Sequence, residues 1–141
     1  MALSFFASCA KDMATGVFVW VSGTYKLQLL TTAYTFSSAH DFRDDLGANE
    51  VSGTNYTAGG LTIANKTASA ANPCVMTADD IVVAQSGGGF ANGLKYTVAK
   101  ITGGAASTDP LVAYGLAAGT YGNVAGALTL DIPASFLTIT V

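Results

Sequence analysis

The chain's one histidine, His40, stands beside Asp41 in the run His40-Asp-Phe-Arg-Asp-Asp-Leu46, the densest cluster of titratable side chains in the sequence. A histidine next to a carboxylate is raw material for acid–base or nucleophilic catalysis, because imidazole titrates near neutral pH. Adjacent helical positions diverge by about 100°, so Asp41 is badly placed to orient the His40 ring, and no nucleophile is fixed by spacing. The expectation is a loop-helix histidine whose ring nitrogens bond nearby backbone. The carboxylates of Asp41, Asp44, Asp45 and Glu50 invite a calcium loop, which wants oxygens at alternate positions, glycine sixth and glutamate twelfth. Phe42 and Arg43 interrupt that alternation and Glu50 falls tenth. A solvated acidic face is expected instead of a metal site, with Arg43 pairing to Asp44 or Asp45.

The remaining chemistry is sparse. Asp79-Asp80 would direct two carboxylates to opposite sides of an extended chain, so a turn between strands is the simpler reading. Gly87-Gly-Gly-Phe-Ala-Asn-Gly93 lacks the Lys and Ser/Thr of a phosphate-binding loop and no helix pattern follows it; it reads as a hairpin tip. Cys9 and Cys74 are too few for a zinc or disulfide framework and read as small hydrophobes. Asn55-Tyr-Thr57 and Asn65-Lys-Thr67 fit the glycosylation sequon but are read as strand and loop residues. No catalytic, cofactor-binding or metal-ligating residue is expected, and the chain reads as a non-enzyme. A carbohydrate-binding surface module is an alternative, because Trp20 and the tyrosines up to Tyr121 could form an aromatic platform.

Of 141 residues, 50% are hydrophobic and only 11% charged, against about 25% charged in an average soluble domain. The net charge of −3 and the scattered Lys and Arg leave no basic stripe, so nucleic acid is not expected as a partner. Mean hydropathy is +0.43, yet no run approaches the ~18 to 20 apolar residues of a membrane-spanning helix. The segment Met1–Cys9 has no Lys or Arg before its short apolar stretch, so no targeting leader is expected.

Elements to position these groups follow from periodicity. Leu3, Phe5, Phe6, Cys9, Ala10 and Met13 recur near helical spacing, predicting one short N-terminal helix within an arm over residues 1–15, ended by Gly16. Val17–Val21 is β-rich, and Tyr25–Thr32 alternates with Tyr25, Leu27 and Leu29 on one face. Ala39–Leu46 reads as a short helical segment with Ser38 as N-cap and Gly47 as stop. Further strands are predicted near Glu50–Val51, Leu61–Ala68, Val75–Ala78, Ile81–Ala84, Lys95–Ile101, Leu111–Leu116, Leu128–Ile132 and Leu137–Val141. Glycine and proline punctuate them at intervals typical of a sandwich or barrel. The class predicted is mainly β, a β-sandwich or jelly-roll-like single domain over residues 1–141.

The block Tyr34–Thr67 contains His40-Asp-Phe42, Asp44-Asp-Leu46 and Glu50-Val-Ser-Gly-Thr-Asn-Tyr-Thr-Ala-Gly-Gly60. Ala78-Asp-Asp80 before a strand and Ser107-Thr-Asp-Pro-Leu-Val-Ala-Tyr114 follow in order. In these segments the chain resembles a widespread family of small tailed-bacteriophage virion proteins. The resemblance spans most of the chain and is most specific over Tyr34–Thr67. It implies a capsid decoration, or cement, protein on the outer surface of the head, with the major capsid protein as partner. It carries no catalytic residues. A tail or neck component of the same virion is the nearest alternative. The Gly-rich Ser86–Gly93 tip and the Ala117–Gly126 loop depart from the family pattern.

Composition bears on the same point. Surfaces of solitary domains are about 25 to 35% charged, which this sequence cannot supply. Area covered by other subunits is therefore expected, in a homo-oligomer such as a trimer. The contact residues predicted are Leu3, Phe5 and Phe6 as an apolar anchor, and His40, Asp41, Arg43, Asp44 and Asp45 as a polar contact.

Overall fold

The structure, a computed structural model, describes residues 3–85, 87–90, 93–121, 126–132 and 136–139. Its elements in chain order begin with β1 (Leu3–Phe5), α1 (Ala7–Ala14), β2 (Thr24–Leu30) and a 3-10 helix over Arg43–Asn49. There follow β3 (Leu61–Thr62), β4 (Thr67–Ala68), β5 (Cys74–Thr77), β6 (Ile81–Val83) and β7 (Gly93–Ile101). A 3-10 turn (Ala106–Thr108), β8 (Leu111–Tyr121), β9 (Leu128–Leu130) and β10 (Leu137–Ile139) complete the described chain. Strand outweighs helix, 36% against 15%, so the class is mainly β.

A five-stranded antiparallel sheet in the order β1-β8-β7-β2-β3 is the largest layer; β10-β5-β4 and β6-β9 form two smaller sheets. Its register follows the alternation of β2. Leu27 lies opposite Val98, which lies opposite Ala113, and Leu29 lies opposite Tyr96, which lies opposite Gly115. This row faces a core shared with Ile81, Val83, Leu128 and Leu130 of the small sheet and with Trp20 and Phe136. The arrangement is sandwich-like, apolar faces meeting across the interior. Gly115 has a steric reason: a Cβ there would come within 2.2 Å of the Tyr96 hydroxyl and ring.

The opposite face of the large sheet is covered as well. Phe6, Leu30, Tyr34, Leu46, Ala99, Leu111 and Tyr114 form a second buried cluster, with Phe36 packed against it. Gln28 and Thr97, paired across the strands, are fully buried on that face. They satisfy each other through a 3.1 Å bond from the Thr97 hydroxyl to Gln28 Oε1, as buried polar groups must.

The N-terminal segment differs from its predicted form. Leu3–Phe5 is an edge strand, Leu3 opposite Gly115 and Phe5 opposite Ala113, and the helix starts only at Ala7. The apolar residues 3, 5, 6, 9 and 13 combine an alternating and a helical pattern, and pairing to β8 decides where one gives way to the other. Val17–Val21 is a loop. Phe18 and Trp20 point inward while Val19 and Val21 are exposed, but the backbone bonds run from Phe18 N–H to the Asp12 carbonyl and from Gly23 N–H to the Val19 carbonyl.

The predicted helix over 39–46 forms as the 3-10 helix Arg43–Asn49, without Ser38 as its cap; Gly47, at φ +57°, lies within it. Leu61–Ala68 is split into β3 and β4 by Asn65 at φ +46°, whose side chain bonds Asp79. β8 runs on to Tyr121, and β10 pairs with β5 inside the chain. Residues 86, 91, 92, 122–125, 140 and 141 of the predicted tip, loop and last strand lie outside the described residues.

Candidate functional site

The residues predicted for contact come from two distant stretches that the fold brings to one side. Ala7 N–H donates to the Ser38 carbonyl at 2.9 Å, and the Phe6 ring lies 5.3 Å from Phe36. Next to this junction, Asp41–Arg43 runs alongside Asp109–Leu111. Arg43 N–H donates to the Asp109 carbonyl, Leu111 N–H donates to the Asp41 carbonyl, both at 2.9 Å, and Phe42 bridges Pro110. Leu3 is half-buried, Phe6 buried and Phe5 37% exposed, so only Phe5 of the apolar anchor presents a face.

Arg43 corrects the sequence reading. Its guanidinium pairs with neither Asp44 nor Asp45 but with Asp109, through Nε at 3.1 Å and Nη2 at 3.0 Å. Asp109 is 1% exposed and its other oxygen accepts from the Thr102 N–H at 2.8 Å and the Thr102 hydroxyl at 3.0 Å. Asp109 was legible only as half of an Asp-Pro turn signal; its partner lies too far along the chain for spacing to reveal.

Asp45 caps the segment it follows. Its Oδ2 accepts the Phe42 N–H at 3.0 Å and the Asp41 N–H at 2.8 Å, and these bonds hold its carboxyl below the usual carboxylate range. Asp44 and Asp41 are exposed. His40 is half-buried, and its Nδ1 is 2.9 Å from the Tyr34 hydroxyl. The ring nitrogen therefore bonds a side chain in place of the expected backbone.

A further polar node missed in sequence closes the far edge of the large sheet. The Leu29 N–H donates to the Tyr56 hydroxyl at 2.9 Å, which donates to Glu50 Oε1 at 2.6 Å. Gly59 N–H donates to the same carboxylate at 3.0 Å. Both lie in the resemblance block, and their task here is to terminate a sheet edge.

Burial pushes the hydroxyls of Tyr25 and Tyr34 up to about 12, Tyr34 with help from Tyr114 and Asp45. Burial and the Glu50 bond push Tyr56 up further. The unfolded chain ionises tyrosine near 10. The contribution of these three phenols to stability is therefore unchanged below pH 10 and falls as pH rises through 10 to 12, because only the unfolded state releases these protons there. Absorbance of tyrosinate at 295 nm is expected to show these three phenols titrating together with unfolding; free titration near pH 10 in the folded protein would contradict it.

Arranged this way the groups bind and brace; each titratable side chain at the junction, apart from the exposed carboxylates, is held by an internal partner. Among the described residues no group of three or more His, Cys, Asp and Glu is placed to hold a metal ion, and no helix is long and apolar enough to cross a membrane. Cys9 is buried and Cys74 half-buried, both free. Trp20, Tyr25, Tyr34, Tyr56, Tyr96 and Tyr114 are all buried, so they form no glycan platform; the Tyr121 side chain lies outside the description. Large apolar side chains do reach solvent: Val82 is 66% exposed, Leu116 60%, Val21 57% and Val19 43%. Comparison with protein-family models, with curated proteins and with solved structures returns no match.

Proposed function

We propose that this protein is a structural component of a tailed-bacteriophage particle: a decoration protein that oligomerises and binds the major capsid protein lattice on the outside of the head. The observation that carries the reading is the pairing of a charge-poor chain with exposed aliphatic side chains. Val21, Val82 and Leu116 each have more than half of their surface in water, although apolar clusters cover much of both faces of the large sheet. Single exposed apolar side chains need no partner; what supports the reading is that they occur on a chain only 11% charged, which has little charge to solvate its surface, as at the charge-poor centres of interfaces. The resemblance of Tyr34–Thr67 to small phage virion proteins gives the kind of subunit.

Its action is mass action. A protein that binds only the assembled shell stabilises it by about 2.7 kcal/mol per site at a hundredfold excess over Kd, repeated over every site of the lattice. Light scattering on purified protein tests the self-association: a mass that is a multiple of 14.3 kDa is expected. A monomer at every concentration, with no binding to capsids, would contradict the reading.

A further inference from the structure

On the outside of the junction, between α1 and the Asp41–Phe42 strip, lies an open cleft of about 250 Å³. One wall is a face of α1 with the residue that caps its C-terminus, Ser8, Lys11, Asp12 and Thr15, spaced i, i+3, i+4 and i+7. The other wall is Asp41 and the Phe42 ring, the latter 39% exposed. Asp12 is 7% exposed, yet no hydrogen-bond donor among the described residues meets its carboxylate. Its ion pair is with Lys11 at 3.8 Å, a side chain 70% in solvent. Neighbouring helix positions do not face each other, and so exposed a partner does little for a buried charge. Lys100, behind the cleft, donates its ammonium to the Val17 carbonyl. Ser8 Oγ is also buried without a hydrogen-bond partner.

A buried carboxylate and a buried hydroxyl without donors are costly unless something supplies those donors. Two carboxylates against one ammonium leave the cleft one negative charge from neutral. Acceptors stand on both walls and one wall also carries an aromatic side chain, Phe42, which fits a planar cation with several N–H groups better than a compact ammonium.

We infer that this cleft is a binding site for a guanidinium group, the side chain of an arginine presented by a different protein. A second copy of this chain cannot supply it, since the sequence has one arginine, Arg43, and that residue is committed to Asp109. Free arginine differs from a side chain within a protein by an α-ammonium and a carboxylate whose charges cancel, and neither is needed to fill the cleft. The cleft is smaller than the 300 to 1,000 Å³ typical of sites that enclose whole ligands, which suits a side-chain tip. The same chemistry applies whether or not the partner is a capsid subunit.

The test titrates the intact protein with N-acetyl-arginine amide and follows backbone amide NMR shifts. Saturable shifts at residues 7–15 and 41–43, with Kd in the millimolar range, are expected. The neutral isostere N-acetyl-citrulline amide should bind at least about tenfold more weakly, and unblocked arginine no more tightly than the blocked form. Asp12→Asn should weaken the blocked arginine by a similar factor. Asp41→Asn, at an exposed position, gives the same readout if Asp12→Asn fails to fold. Absence of saturable shifts, or equal binding of the citrulline analogue, would overturn the site; at least about tenfold tighter binding of unblocked arginine would overturn the assignment to a protein side chain.

Discussion

Asp109→Ala is expected to destabilise the protein by about 3 to 5 kcal/mol, the range for removing one partner of a buried ion pair. Net stabilities of whole domains are only about 5 to 15 kcal/mol. Asp109 is 1% exposed and its two oxygens hold Arg43 on one side and Thr102 on the other. Alanine would strand the Arg43 guanidinium, leave the Thr102 N–H without its acceptor, and loosen the Asp41–Arg43 strip from β8. Urea unfolding followed by the fluorescence of the single tryptophan measures this directly. Since the Arg43 side chain is 22% exposed, Arg43→Met should cost less than Asp109→Ala. The double variant should cost less than the sum of the singles, the signature of groups in contact. A cost below about 1 kcal/mol for Asp109→Ala, the scale of a surface ion pair, would show that the pair does not anchor the strip.

Trp20→Ala is expected to cost about as much, 3 to 5 kcal/mol, through the cavity left by a large buried ring. Trp20 is 3% exposed, stacks on Phe136 at a centroid distance of 4.9 Å and lies 5.1 Å from Tyr25. Its indole N–H donates to the Thr77 carbonyl at 3.0 Å. It therefore joins the 17–23 loop, β2, β5 and the segment leading into β10. Trp20→Phe keeps part of the stack but leaves the Thr77 carbonyl without its donor, and should fall between wild type and alanine. Thermal unfolding by circular dichroism checks the series. Equal melting of wild type and Trp20→Ala would contradict the burial described for this ring.

The strands were legible where one face is buried and the partner long. Tyr25, Leu27 and Leu29 alternate in sequence and lie between 0 and 3% exposed; β7 lies close to its predicted span, while β8 begins where predicted and runs on past Leu116 to Tyr121. Alternation fixes faces but not partners. Val17–Val21 alternates too, with Phe18 and Trp20 inward, yet no neighbouring strand receives it, so the predicted β-rich stretch is a loop. Local signals also misplaced the helical segment near 39–46, because Asp41 and Phe42 are held extended beside Asp109–Leu111 and the helix begins only at Arg43. The candidate site was half legible. His40, Asp41, Arg43, Asp44 and Asp45 stand out by type, but Asp109 and the cleft face of α1 acquire meaning only when the chain brings them to that strip.

Charge scarcity stated at the level of composition becomes specific in the fold. The second apolar cluster uses Phe6, Tyr34 and Leu46 to cover one face of the large sheet, and the large apolar side chains left most exposed are Val21, Val82 and Leu116. The polar groups of the junction are spent on holding the chain together, save those that line the cleft beside α1. A surface of this kind suits a protein whose work is to adhere.

Cryo-electron microscopy of the intact particle, with the protein located by its fold and counted, tests that claim most directly. The account predicts symmetric copies on the outside of the head, contacting the major capsid protein, with Val82 or Leu116 buried in the contacts. Density confined to the tail, or particles that lack the protein altogether, would contradict it.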